Sequence, residues 1–284
     1  APLDGGWDNT NLQLMLESGS SFVLKAWYAN TVEEVGRVIA RHVHLHEHGI
    51  PTTVPIMLTD GSLMAIKDGV AWTLLPFVEG GILGLDEDSV RSLGETQARM
   101  HLIPGADCFP KSYRMGFELF EEVISLSSRM GVSNPFVEML SSRIAETKLD
   151  FPSDLPMGVL HGDLFPDNVI GGGGGVSAIL DLEEAWIGPM AFDIAMSCVG
   201  FGWDGTVPVW SRWKALFDGY QSVRKLSQKE VDCLPFLHQF ATLCIASWRF
   251  WKHNLREPDE LLSNRYVEMV HRLSVEIDFS EVLG

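Results

Sequence analysis

Val159-Leu160-His161-Gly162-Asp163-Leu164-Phe165-Pro166-Asp167-Asn168, followed shortly by Ala178-Ile179-Leu180-Asp181, is the part of the chain whose reading decides the fold. It sets a carboxylate, an amide and a second carboxylate on short loops between apolar β segments. Asp163 is placed to orient a hydroxyl group and take its proton. Asn168 and Asp181 supply the oxygen donors that a hard divalent cation prefers. Either carboxylate alone would read as a turn cap. The three side chains together, at this spacing, do not.

Composition narrows the surroundings of that motif. The chain has 284 residues, enough for one large domain or two packed lobes. Hydrophobic residues make up 46% and charged residues 21%, which excludes a disordered chain. A formal net charge of −17 argues against a nucleic-acid partner, whose phosphates it would repel, and suits a cationic or zwitterionic small molecule. Cys108, Cys198, Cys233 and Cys244 are scattered without a C-x-x-C pair, which fits a reducing, cytoplasmic location. No secretory leader pattern and no membrane span are expected. The apolar run 236–251 is broken by His238, Gln239 and Arg249 and reads as a buried helix. The chain opens with Ala1, not Met, and processing or removal of the first residues is expected.

Working outward, residues 12–16 and 22–26 read as strands of a hairpin around Glu17-Ser18-Gly19-Ser20. Thr31-Val32-Glu33-Glu34 has the S/T-x-x-E form of a capping box, and the helix it opens carries Val35, Val38, Ile39 and Leu45 on one face until Gly49 and Pro51 stop it. Thr59-Asp60-Gly61 and Lys67-Asp68-Gly69 predict two further hairpins, each between apolar strands. Pro76-Phe77-Val78-Glu79-Gly80-Gly81 interrupts the pattern. Beyond it helices are expected at 88–101, 113–129, 135–147, 191–200, 213–223, 229–253 and 259–277, with Ser227-Gln228-Lys229-Glu230 as a second capping box. The exception is 158–181, with two short β segments. A small sheet, a connector and a large helical body is the kinase arrangement.

His161, Asp163 and Asn168 match H-x-D-x-x-x-x-N, the pattern of kinase catalytic loops, with Gly162 where protein kinases carry Arg. That variation, with Leu164-Phe165-Pro166 behind the Asp, resembles the aminoglycoside phosphotransferase and choline kinase superfamily, and within it most nearly the type II homoserine kinases. The resemblance implies an α+β, protein-kinase-like two-lobe fold: a small N-terminal β-sheet lobe with one helix over residues 1–76 and a larger, mostly helical lobe over 77–284. It implies an ATP- and Mg²⁺-dependent phosphotransferase acting on a small-molecule hydroxyl, with homoserine or a related amino alcohol as best guess. Choline or ethanolamine, hydroxylysine, sugar and aminoglycoside acceptors are the alternatives, as is a catalytically silent nucleotide-binding module.

The same resemblance assigns roles. Asp163 is the catalytic base, and Asn168 and Asp181 are the metal ligands, Asp181 standing where protein kinases have the D-F-G Asp. Lys25, at the end of the strand Phe22-Val23-Leu24-Lys25, contacts the α/β-phosphates, with Glu34, or else Glu33 beside it, as its carboxylate partner. The stretch Gly5-Gly6-Trp7-Asp8-Asn9-Thr10-Asn11 covers the phosphates, Asn9 and Thr10 donating to them. Leu74 to Phe77 forms the adenine hinge, with Leu75 and Phe77 in contact. His161 and Asp193 support the catalytic loop. Glu183, Trp203, Trp248 and Arg249 are candidates for binding the acceptor.

Two motifs point elsewhere. His44-Leu45-His46-Glu47-His48 has the H-x-x-E-H form of an inverted zinc protease motif, but Gly49-Ile50-Pro51 ends the helix at once and no third ligand is evident. Gly171 to Gly175 lacks the Lys-Ser/Thr of a phosphate-binding P-loop and reads as a hairpin connection.

Overall fold

Alternating side chains on either side of Gly19 build the first hairpin. In a computed structural model of the chain, which describes residues 1–3 and 9–283, β1 (Thr10–Met15) pairs antiparallel with β2 (Ser21–Trp27), Leu12 opposite Leu24. The expected Gly5-Gly6-Trp7-Asp8 part of the phosphate-covering loop lies outside the described residues. Helix α1 (Val32–Glu47) starts at the capping box: Thr31 Oγ1 accepts from Glu34 N, and the Glu34 carboxylate accepts from Thr31 N. Strands β3 (Ala65–Lys67) and β4 (Val70–Pro76) turn through Asp68 and Gly69, both at positive φ, the geometry of a two-residue hairpin. The four strands lie in the order β1-β2-β4-β3. Trp27, Val35, Val38, Ile39 and Ala71 form a small core between sheet and helix.

One expected hairpin is only a turn. Asp60 Oδ1 accepts from Ser62 N, and Leu58 N donates to Ser62 O, but no strand flanks the loop on either side. The Asx turn closes on its own side chain and needs no sheet.

After Pro76 the chain crosses into a second body. Strand β5 (Gly81–Ile82) is followed by α2 (Glu87–Leu102), α3 (Phe117–Met130) and α4 (Pro135–Asp150). Then come β6 (Met157–Leu160), β7 (Val169–Gly172), β8 (Gly175–Ile179) and β9 (Trp186–Pro189). The two β segments expected at 158–181 are thus three strands. β5, β7 and β8 form one sheet in that order, and β6 pairs with β9. The glycine run turns the β7–β8 hairpin, as expected.

Helix α5 (Met190–Phe201) is buried almost throughout. A short ribbon, β10 (Trp203–Asp204) and β11 (Val207–Pro208), leads to α6 (Trp210–Val223), α7 (Gln228–Phe250), α8 (Arg265–Leu273) and α9 (Ser280–Leu283). Two helices extend three residues past their expected spans, α4 to Asp150 and α6 back to Trp210, and three others depart from theirs. The helix expected from 113 begins at Phe117, because Gly116 is its cap and Tyr113 points back toward the β6 loop. The helix expected over 229–253 stops at Phe250 and continues as a π-helical turn, Trp251–Arg256. The helix expected over 259–277 is reduced to α8: Asp259 accepts from Leu261 N on its carboxylate and from Ser263 N on its carbonyl, a local turn that competes with helix. Ser227 and Glu230 form the second capping box as expected. The main core lies in this body, around fully buried Phe120, Phe192, Trp213 and Tyr220. Burying each such side chain stabilises by roughly 1.5–3 kcal/mol. Among the described residues, no helix is long and apolar enough to cross a membrane.

Candidate active site

The H-x-D-x-x-x-x-N sequence leaves β6 at Leu160 and returns as β7 at Val169, held by its neighbours' side chains and its own backbone. His161 is fully buried. Its Nδ1 accepts from Asp163 N at 3.2 Å, so Nε2 carries the proton and donates to Leu180 O at 2.8 Å. This one ring ties the loop to the residue before Asp181. Leu180 N donates in turn to Asn168 O at 2.8 Å.

Asp193, at the head of α5, lies under the loop. Its carboxylate accepts from His161 N (3.2 Å), Gly162 N (2.7 Å), Gln97 Nε2 (2.9 Å) and His101 Nε2 (3.0 Å). Burial opposes ionisation, but the His101 and Gln97 bonds outweigh it and hold the carboxyl below its usual range. Asp193 is therefore where the supporting role was expected. Gln97, His101 and Tyr220, which bonds His101 Nδ1 at 2.7 Å, complete that support and were not foreseen.

Gly162 has φ +81°, and a Cβ there would sit 2.7 Å from Glu184 O and 3.0 Å from the Tyr113 ring. A side chain is excluded on both counts. Tyr113 donates to Gly162 O at 2.6 Å and stacks on Trp186.

Asn168 Nδ2 donates to Asp163 O at 2.8 Å and lies 3.2 Å from Asp163 Oδ2. The amide oxygen thus faces the other way, as a ligand atom would. Burial, then the charges of Asp181, Glu184 and Asp167, push the Asp163 carboxyl up to about 8. Asp181 has φ +54°, a left-handed backbone uncommon outside glycine. Its burial raises the cost of charge, yet Lys25, His161 and His42 prevail and keep it below the ordinary carboxylate range. The site thus sets one carboxyl that favours its proton beside one carboxylate held ionised.

Lys25 departs from expectation. Its Nζ lies 3.4 Å from Glu183 Oε1 and 3.7 Å from the Trp27 ring centre. Glu34 is not its partner: the Glu34 carboxylate is taken up by Thr31 N and Oγ1 at 2.7 and 2.8 Å. Val38 stands deeper in α1, where no charge is available. Glu183 also accepts from Asn9 Nδ2 (3.1 Å) and Asn30 Nδ2 (3.1 Å). Burial first, and Asp181 second, push its carboxyl up to about 7. Glu183, expected among the acceptor-binding residues, stands beside Lys25. Thr10 is exposed at the start of β1. Glu184 pairs with Arg114. A cavity of about 350 Å³ lies between α1 and these residues, lined among others by Asn30, Arg41, Arg114, Glu183 and Glu184.

Leu75 and Phe77 stand where the connector leaves β4: Leu75 pairs with Val23 across the sheet, and Phe77 N donates to Ser21 O at 3.3 Å. Leu83 N donates to Val169 O, so the connector runs onto the strand that follows Asn168.

The remaining acceptor candidates lie in the helical body. Trp203 is a core residue, stacked on His238 and edge-on to Trp213, with Arg272 over its ring. Arg249 is tied to Glu268 at 2.7 Å and to Arg265 O at 3.0 Å. Trp248 packs against the main core, edge-on to His253. Aromatic residues at helical spacing served packing here. In the H-x-x-E-H run, His44 Nε2 bonds Pro104 O and His48 Nδ1 bonds His44 O.

Asn168 and Asp181 bring oxygen donors of the kind a hard divalent cation takes. Among the described residues no three His, Cys, Asp or Glu side chains enclose a metal ion. Two oxygen donors suffice where phosphates and water complete the shell. The crowding of Asp163, Asp181 and Glu183 is the repulsion such a cation would relieve.

Comparison with known proteins agrees with this geometry. The model of the phosphotransferase enzyme family matches residues 1–226. Homoserine kinase of Brucella ovis is 32% identical over 251 residues, covering 84% of this chain and 74% of that protein. Homoserine kinase of Methylobacillus glycogenes is 31% identical over 270 residues, covering 89% and 78%. Among solved structures, an amicoumacin kinase in complex with AMP-PNP, Ca²⁺ and Ami is similar with a TM-score of 0.76 at 16% identity, covering 98% of this chain and 90% of that one. Plasmodium vivax ethanolamine kinase follows at 0.73 and 13%, covering 99% and 84%. At these identities the structures speak for the fold: a kinase-like α+β fold.

Proposed function

This chain belongs to the phosphotransferase enzyme family, and from that premise we propose that it transfers the γ-phosphoryl group of ATP to the side-chain hydroxyl of homoserine. It is a small-molecule kinase that uses ATP and a divalent metal. Mg²⁺ is the metal of this reading. The observation that carries it is the bond from Asn168 to Asp163, in a loop tied through His161 to the residue before Asp181.

In this reading the boundary between the lobes falls at 76/77, and the nucleotide lies against the connector at Leu75 and Phe77. Asn168 and Asp181 hold Mg²⁺, which, when bound, neutralises phosphate charge. Lys25 reaches the α/β-phosphates, oriented by Glu183 and the Trp27 ring. Asn9 stands beside the same carboxylate. Asp163 bonds the acceptor hydroxyl and aligns it with the γ-phosphorus. As the new O–P bond forms, the bond to the β,γ-bridging oxygen breaks, ADP leaves, and Asp163 takes the hydroxyl proton. A carboxyl pushed up toward neutrality by its surroundings is suited to receive it. Asp193 and His161 do no chemistry; they fix the loop.

The test is an acceptor panel with ATP and Mg²⁺: homoserine, hydroxylysine, ethanolamine, choline, a sugar and an aminoglycoside. Phosphorus NMR should show an O-phosphorylated amino acid, with the highest kcat/KM for homoserine. A higher value for another acceptor would reassign the substrate. Nucleotide binding without transfer to any acceptor would leave only a silent module.

A further inference from the structure

Arg41 is a guanidinium in the interior, 6% exposed, on the buried face of α1. A buried charge is tolerated only where its donors are satisfied. Arg41 meets that need with backbone carbonyls alone: Nε donates to Cys108 O at 2.8 Å, and Nη1 to Leu182 O at 2.8 Å and Glu183 O at 3.0 Å. Two of the three belong to the residues immediately after Asp181.

The next residue of α1 reaches the other side. His42 Nδ1 lies 2.7 Å from Thr52 Oγ1, and Thr52 Oγ1 donates to Ile179 O at 2.7 Å. Because Thr52 spends its proton on Ile179, it accepts from His42, which is therefore protonated at Nδ1. Consecutive residues of one helix thus clasp the chain before and after Asp181. That aspartate holds φ +54°, a conformation that persists only where its surroundings over-determine it. Glu183, whose carbonyl Arg41 holds, carries the carboxylate beside Lys25. No carboxylate of α1 reaches Lys25, since Glu34 is committed to its capping box.

The geometry points to Arg41 as a positioning residue for the metal–nucleotide complex: it clamps the 182–183 backbone, so that the location of α1 sets the orientation of Asp181 and Glu183. This rests on the reading of Asp181 as a metal ligand. Arg41 touches no reacting atom. It makes α1 part of the site by a bond to the metal loop's backbone, in place of an acid directed at the lysine.

The experiment compares Arg41→Met, Arg41→Lys and Val35→Ala, the last loosening α1 in its apolar core without touching the loop. Two quantities are read for each: the Mg²⁺ concentration at half-maximal rate, and the rise in melting temperature caused by Mg²⁺–ATP. Arg41→Met should raise the first by about tenfold or more, as losses of support around a metal do, and shrink the second. Acceptor KM should stay near wild type. Arg41→Lys, which can satisfy fewer carbonyls, should fall between. Val35→Ala should melt lower yet keep the wild-type Mg²⁺ requirement. A folded Arg41→Met with wild-type Mg²⁺ requirement and wild-type melting shift overturns the proposal. So does failure of both Arg41 variants to fold where Val35→Ala folds, which would make Arg41 a residue of the fold only. If the wild type transfers phosphate to no acceptor, the functional reading fails, and the melting shift still decides the role of Arg41.

Discussion

Lys25 is held by Glu183, two residues beyond Asp181, at 3.4 Å, while of the two acids opening α1 Glu33 pairs with Arg37 and Glu34 folds back on its own helix start. Lys25 and Asp181 are therefore positioned by one loop. In the proposed reading, anything that displaces the 181–183 segment moves the phosphate contact and the cation ligand together.

Glu183→Gln and Glu34→Gln should separate these roles. Glu183→Gln is expected to raise KM for ATP by about tenfold, the scale of losing a residue that orients a ligand-binding group. Glu34→Gln should leave that KM unchanged and lower stability by at most about 1 kcal/mol, the usual worth of a cap. Steady-state kinetics and thermal melts of the two variants check this.

Asp163→Asn should lower kcat by on the order of 10²–10⁴-fold. It should not destabilise the metal-free protein and is expected to melt at the same temperature or higher. Burial and like charges push the Asp163 carboxyl up to about 8, above its usual 3.8. The folded chain then binds a proton that the unfolded chain has lost, so stability falls as pH rises through that window. Melts in EDTA should show a shallower decline for the Asn variant.

Gly162→Ala should be costly despite its size. The backbone is left-handed and the added carbon would meet Glu184 O. The strained dihedral alone costs about 1–3 kcal/mol. Chemical denaturation should give a loss at least that large, with activity lost alongside because the Asp193 contact to Gly162 N must shift.

His238 should contribute to acid sensitivity. Burial, then Arg272, push its imidazole down to about 3, and it stacks neutral on Trp203. Between the ordinary histidine value of about 6.5 and that lower one, the unfolded chain binds the extra proton. The contribution is complete above that upper value and is lost as pH falls. Urea midpoints at pH 7 and 5 should differ less in His238→Leu than in wild type; an equal drop in both would assign the acid sensitivity elsewhere.

Much of the site was legible because it is written in side-chain types at fixed spacing. His161, Asp163, Asn168 and Asp181 carry their chemistry wherever the backbone goes, and Thr31 with Glu34 announces a helix start by local bonding. What stayed hidden depends on tertiary placement. Arg41 bonds only carbonyl oxygens, and every residue has one, so no pattern flags its partners. Glu183 and Glu184 look alike in sequence, yet one faces Lys25 and the other Arg114. Trp203 sits in the core and Arg249 pairs with Glu268, placements that residue type alone does not announce. The helix expected over 259–277 failed for a local reason, the turn closed by Asp259.

The strand pairing of β5 with β7 has a mechanical side. It anchors the connector as soon as it arrives, and leaves residues 78–80 between the last bond to the first sheet, Phe77 N on Ser21 O, and the first strand of the second. A second tie joins Thr52 to Ile179 by a parallel bridge, with Ile179 N on Pro51 O. Arg41 on the carbonyls of Cys108, Leu182 and Glu183 and His44 on Pro104 O add ties elsewhere along α1. Fastened at several separated points, the N-terminal piece behaves as a riveted plate, and any rocking of it toward the helical body would have to break bonds.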